Sequence, residues 1–156
     1  MPKIDVDRVP ERKGSGYPAP FHEPCMNRVR KRLGDAGGLT QFGVNLLTLS
    51  PGAWSSQRHW HSAEDEFVYV LSGEVVLATD AGEEVLRAGD CAAFPKGDGN
   101  GHHLMNRSQA PAILLEVGTR AGEADFCRYP DIDLQIDGRR DTFEHRDGTP
   151  YPRRAD

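Results

Sequence analysis

Apolar and polar residues alternate along this chain in short runs punctuated by glycine and proline. After Glu66 comes Phe67-Val68-Tyr69-Val70-Leu71, then Ser72-Gly73, then Glu74-Val75-Val76-Leu77-Ala78-Thr79. Strand side chains alternate faces, which puts Glu66, Val68 and Val70 on one side. Short β-rich runs bounded by turn residues predict strands over 66–71 and 74–79, and Ser72-Gly73 predicts a tight hairpin between them. The same reasoning predicts strands over 39–50 (ended by Pro51-Gly52), 83–87, 91–94, 102–106 and 112–118. Ile132, Leu134 and Ile136 alternate and predict a last strand. No helical period intervenes, and no internal repeat is visible. Many short strands at close spacing predict an all-β sandwich or barrel.

The flanks differ from this centre. Residues 1–24 carry Pro2, Pro10, Pro18, Pro20 and Pro24. They predict an extended arm, either loosely ordered or laid across a sheet edge or a partner subunit. The chain therefore divides into an arm (1–38), a barrel core (39–122) and a strand with an irregular tail (123–156). Phe143 to Pro152 reads as tail with aromatic anchors. Tyr69, His145 and Tyr151 read as packing or surface residues.

Composition narrows the class. A chain of 156 residues fits one domain with its own core, and 17 glycines and 11 prolines suit a turn-rich β protein. A net charge of -5 argues against a nucleic-acid partner, which would need a concentrated basic surface. Arg28, Arg30, Lys31 and Arg32 form the local exception and read as a solvated segment. Cys25, Cys91 and Cys127 are odd in number and show no C-x-x-C spacing. They read as reduced thiols of a cytoplasmic protein, with Cys91 a small core residue. No signal peptide or membrane span is visible.

The chemistry concentrates in His59-Trp60-His61-Ser62-Ala63-Glu64-Asp65-Glu66. Two histidines one residue apart point the same way on a strand, and imidazoles converging with a carboxylate suit a divalent metal. Trp60 faces away from them.

These residues bring a family into view. Gly52, His59, His61, Glu66 and Gly73 resemble the first cupin motif, G-x5-H-x-H-x3-4-E-x6-G, with one extra residue before His59. Gly89, Pro95, Gly97, His102 and Asn106 resemble the second, G-x5-P-x-G-x2-H-x3-N, with two extra residues before His102. The resemblance implies a double-stranded β-helix, the jelly-roll cupin barrel, with a metal at its centre. It implies His59, His61, Glu66 and His102 as the ligands. Spacing to Gly73 selects Glu66 over Glu64 and Asp65, which read as solvated turn residues. The two extra loop residues preserve strand parity, which favours His102 over His103. Asn106 reads as a hydrogen-bonding support. The runs Gln41 to Val44 and Gly99 to Leu104 resemble a branch of small single-domain bacterial cupins, some of which carry a sugar-phosphate isomerase assignment.

Three imidazoles and a carboxylate leave one or two positions open on zinc, manganese, iron or nickel. The expectation is one divalent transition metal in a barrel lined by Val68, Val70, Val75 and Leu77. The protein then reads as a metal-dependent enzyme, an isomerase or dioxygenase, on a small sugar-phosphate-like or hydroxy/keto molecule. Glu66 is the candidate proton shuttle if the metal leaves it free. No Lys or Arg inside the two motifs is placed to clamp a phosphate. The other readings are a small-molecule binding or sensing module without turnover, and an Fe(II) dioxygenase. The Gly-rich stretch 97–101 has no helix behind it and reads as a turn over the barrel mouth. A homodimer is expected, because sheet edges and a proline-rich arm need cover.

Overall fold

The computed structural model describes residues 3–152; Met1 and Pro2 of the arm and residues 153–156 of the tail lie outside the described residues. In chain order the strands are β1 (Glu11–Lys13), β2 (Arg28–Arg32), β3 (Phe42–Leu49), β4 (Trp60–His61), β5 (Glu66–Ser72), β6 (Glu74–Thr79), β7 (Gly82–Arg87), β8 (Cys91–Phe94), β9 (His103–Met105), β10 (Ala112–Thr119), β11 (Phe126–Tyr129), β12 (Leu134–Asp137) and β13 (Thr142–Glu144). A single-turn helix, α1 (Leu33–Ala36), follows β2. They form a six-stranded sheet ordered β1-β2-β3-β10-β5-β8, a four-stranded sheet β13-β12-β11-β4 and a three-stranded sheet β7-β6-β9. The pairings within them are antiparallel. This is the expected all-β jelly-roll.

Alternation decides what enters the barrel. In β5, Val68 and Val70 are buried while Phe67, Tyr69 and Leu71 are exposed. Leu47 and Leu49 of β3, and Ala112 and Leu114 of β10, lie beside them on the same face of the sheet. Val75, Leu77, Leu86 and Leu104 close the core from the three-stranded side. Full burial of each large aliphatic side chain stabilises the fold by about 1.5–3 kcal/mol. A second cluster, of Tyr17, Cys25, Cys127, Tyr129 and Leu134, joins the N-terminal arm to the four-stranded sheet.

The structure corrects several expectations. Ser72-Gly73 is not a hairpin, because β5 and β6 belong to different sheets. Gly73 is the corner between them. It sits at φ 78°, and a Cβ there would lie 2.8 Å from the Pro111 carbonyl oxygen. A corner and a hairpin both demand this backbone, so the dipeptide alone cannot separate them. A hairpin forms one strand later, at Asp80-Ala81, with Thr79 paired to Gly82. Cys91 is exposed, since alternation in β8 turns Ala92 and Phe94 inward instead. The basic segment is not simply solvated: it is β2, paired along its length with β3, and Arg28 is buried. The stretch after residue 122 is richer than expected, with β11 and β13 flanking β12. Among the described residues, no helix is long and apolar enough to cross a membrane.

Candidate metal centre

His59 lies just before β4, and His61 ends it. Glu66 opens β5, and His102 stands one residue before β9, bridged to His59 through paired backbone bonds. Glu66 Oε2 is the point on which they converge. His102 Nε2 lies 2.9 Å away, His59 Nε2 3.5 Å and His61 Nε2 3.7 Å. That oxygen is buried and accepts no hydrogen bond. Donor atoms of His59, Glu66 and His102 all lie within 4.8 Å of one another. His61 groups with His59 and Cys127 on one side, and with Glu64 and Asp125 on the other.

The ring orientations have identifiable causes. His59 Nδ1 is 2.8 Å from the Gln57 carbonyl, which can only accept, so that nitrogen carries the proton. His61 Nδ1 likewise donates to Asp125 Oδ2 at 2.6 Å. Both Nε2 atoms are thereby turned toward Glu66. Asp125 is itself fixed by the Ala63 N–H at 2.9 Å. His102 is held differently: Phe94 stacks on its ring at 3.6 Å between centroids. Burial would raise the Glu66 carboxyl, but contact with His102 and then His59 holds it well below the usual carboxylate range. Burial opposes charge on His59, yet Glu66 outweighs it and raises that imidazole. His102 is pushed down, first by burial.

His103 goes elsewhere. Its Nδ1 donates to the Ser56 carbonyl at 3.1 Å and its ring packs edge-on against Trp54. Asn106 is fully buried as a support. It donates to the Leu49 and Ala110 carbonyls and accepts from Ser108. Asp65 accepts from the Lys96 N–H at the surface. Glu64 departs from the solvated-turn reading. It lines the cavity, accepts from the Ala121 N–H at 2.8 Å and lies 3.9 Å from His61.

A cavity of about 560 Å³ opens over this cluster, walled by β2, β3, β5 and β10. Four arginines line it: Arg28, Arg30, Arg32 and Arg120. Glu116 holds Arg30 in a two-pronged pair at 2.7 and 2.8 Å. Asp35 lies beside both Arg32 and Arg120. Neither Tyr69, His145 nor Tyr151 reaches the cavity; His145 and Tyr151 stack on each other instead.

Comparison with known proteins decides the family. The cupin domain family matches residues 45–118. A sugar phosphate isomerase of the cupin superfamily from Silicibacter pomeroyi superposes with a TM-score of 0.90 and is 48% identical, covering 97% of both chains. The chain belongs to the cupin superfamily. Two curated proteins resemble shorter parts of this cupin. One is a beta-D-galactosidase of Mycobacterium tuberculosis, 33% identical over 64% of this chain and 81% of its own. The other is a mannose-1-phosphate guanylyltransferase of Klebsiella pneumoniae, 33% identical over 58% of this chain. This cupin spans only 19% of the latter's length.

Two groups in the site escaped the sequence reading. Asp125 lies outside both motifs and meets His61 only because β11 pairs with β4. The arginines were hidden because the run Arg28-Val29-Arg30-Lys31-Arg32 reads as surface charge. Its period of two, with Arg at every other position, was the available signal of a strand with a basic inner face.

Proposed function

We propose that this cupin is a metal-dependent enzyme acting on a small sugar-phosphate-like substrate. One divalent transition ion would be held by His59, His61, Glu66 and His102. The observation that carries this reading is the buried, donorless Glu66 Oε2 facing three imidazole Nε2 atoms. A buried carboxylate oxygen with imidazole nitrogens converging on it is a donor set for a divalent cation. The donor set suits zinc, manganese, iron or nickel. A bound ion would supply a Lewis acid toward a substrate carbonyl or hydroxyl oxygen. With Glu66 among the ligands, Glu64 is the cavity carboxylate left to carry a proton. The names of the three relatives all concern sugars, which supports the substrate class.

The test is metal analysis of the purified protein, then a panel of aldose and ketose phosphates. About one ion per chain and interconversion of a sugar phosphate support the reading. Sub-stoichiometric metal with no affinity for added divalent ions would sink it. Binding without turnover points to a sensing module, and oxygen uptake with Fe(II) to a dioxygenase.

The partner we propose is a second copy. Phe67, Tyr69 and Leu71 project from the outer face of β5, beside Leu115 and Val117 of β10 and Val44 and Leu46 of β3. A continuous apolar sheet face of this kind is an association surface. Light scattering should give about twice the 17.2 kDa chain mass, and Leu71→Asp should halve it. A wild-type monomer at micromolar concentration would contradict the dimer.

A further inference from the structure

The arginines of β2 are three answers to one placement. Arg28, Arg30 and Arg32 stand at alternate positions, opposite Leu49, Leu47 and Asn45 of β3. Leu47 and Leu49 are fully buried, so this row faces the barrel. Arg30 has Glu116, and Arg32 has Asp35. Arg28 has no carboxylate within ion-pair reach among the described residues. Its Nε donates to the Gly14 carbonyl at 2.9 Å and its Nη1 to the Ser55 carbonyl. Both acceptors are neutral. Among the described residues its Nη2 makes no hydrogen bond, yet it is not sealed inside protein, and the residue lines the cavity. Arg28 as a whole is 8% exposed.

A buried cation without a counter-charge is costly unless something supplies one. Burial first, then repulsion from Arg30, pulls the Arg28 guanidinium below its ordinary range. The backbone invests in holding it there. Gly14 both accepts from the Arg28 side chain and donates to the Arg28 carbonyl at 2.9 Å, so the N-terminal arm fastens the residue from two sides. Ser55 and Ser56, whose hydroxyls lie 3.3 Å apart, line the same cavity.

We propose that Arg28 receives the anionic group of the substrate, a phosphate or carboxylate oxyanion, in the cavity that also contains the imidazole cluster. The inference rests on the enzyme reading above for what the anion is attached to. The fork of Arg28 is already oriented by two carbonyls, and its open Nη2 protons suit a planar or tetrahedral oxyanion. This also supplies the phosphate clamp that the two sequence motifs lack. Arg30, neutralised by Glu116, adds rigidity behind it rather than a second open prong.

The test is calorimetry with inorganic phosphate and with acetate, against chloride at matched ionic strength. It is run on metal-loaded protein and on chelator-stripped protein, so that anion binding to the metal is separated from binding to Arg28. Stripped wild type should bind phosphate saturably, one per chain. Stronger binding of acetate than phosphate would identify a carboxylate substrate. Arg28→Gln should weaken the preferred anion by tenfold or more and Arg28→Lys by about threefold, with metal content unchanged. Unchanged affinity in Arg28→Gln, or loss in Arg32→Gln instead, would overturn the proposal. If Arg28→Gln does not fold, Arg28→Lys and a wild-type crystal grown in phosphate decide; a phosphate absent from Arg28 in that crystal also overturns it. Phosphate binding by a wild type that takes no metal would leave this inference standing while the enzyme reading fell.

Discussion

Glu66→Ala should lose divalent metal almost completely. Removing one of the four proposed ligands, and the only anionic one, is expected to weaken affinity about a thousandfold, roughly 4 kcal/mol. Plasma mass spectrometry after exhaustive dialysis reads this as a fall from about one ion per chain to near none. His102→Ala should fall with it, because His102 Nε2 makes the shortest approach to Glu66, at 2.9 Å. His103→Ala should keep its metal, because that imidazole is turned to Ser56 and Trp54. Asp125→Asn should sit between these extremes, about 10–100-fold weaker, as expected when the group orienting a ligand imidazole loses its charge. Wild-type metal content in Glu66→Ala would remove the basis for the proposed centre. A loss in His103→Ala equal to that in His102→Ala would show that ring contacts, rather than ligation, govern the result.

What could be read in advance follows a physical boundary. Alternation puts Glu66, Val68 and Val70 on one inner face, a rule that needs only the neighbouring residues. The same parity separates His102 from His103, although both are buried and burial alone does not distinguish them. The convergence of His59, Glu66 and His102 was legible because their spacing resembles the cupin motifs. What was not legible depends on pairings between distant segments. Asp125 reaches His61 across strands some sixty residues apart in sequence. Glu116 reaches Arg30 across eighty-six. Gly73 marks a change of sheet, and nothing local distinguishes that from a hairpin. The arginines of β2 read as a solvated run until β3 is seen beside them. Sequence therefore exposes the imidazole end of the cavity, which rests on local spacing. It conceals the basic end, which rests on tertiary pairing.

That basic end carries the second large effect. Glu116→Ala should destabilise the protein by about 3 kcal/mol, read from urea unfolding. Glu116 is the carboxylate that holds Arg30, through bonds of 2.7 and 2.8 Å, with side chains only 24% and 18% exposed. Burial would lower the Arg30 guanidinium, and Glu116 reverses that to a net rise. Without Glu116, Arg30 joins Arg28 as a second cation facing the barrel with no counter-charge. The pair is partly open to the cavity, so the loss belongs at the lower end of what breaking a buried pair costs. Removing both charges by Arg30→Met with Glu116→Leu should recover most of the stability, because two apolar groups of similar size leave no orphan. Phosphate should stabilise Glu116→Ala more than it stabilises wild type, since it would then neutralise two guanidiniums in place of one. A Glu116→Ala variant within about 0.5 kcal/mol of wild type would mean that solvent already screens this pair. The cavity wall would then be held by the apolar packing of β3 against β10 instead.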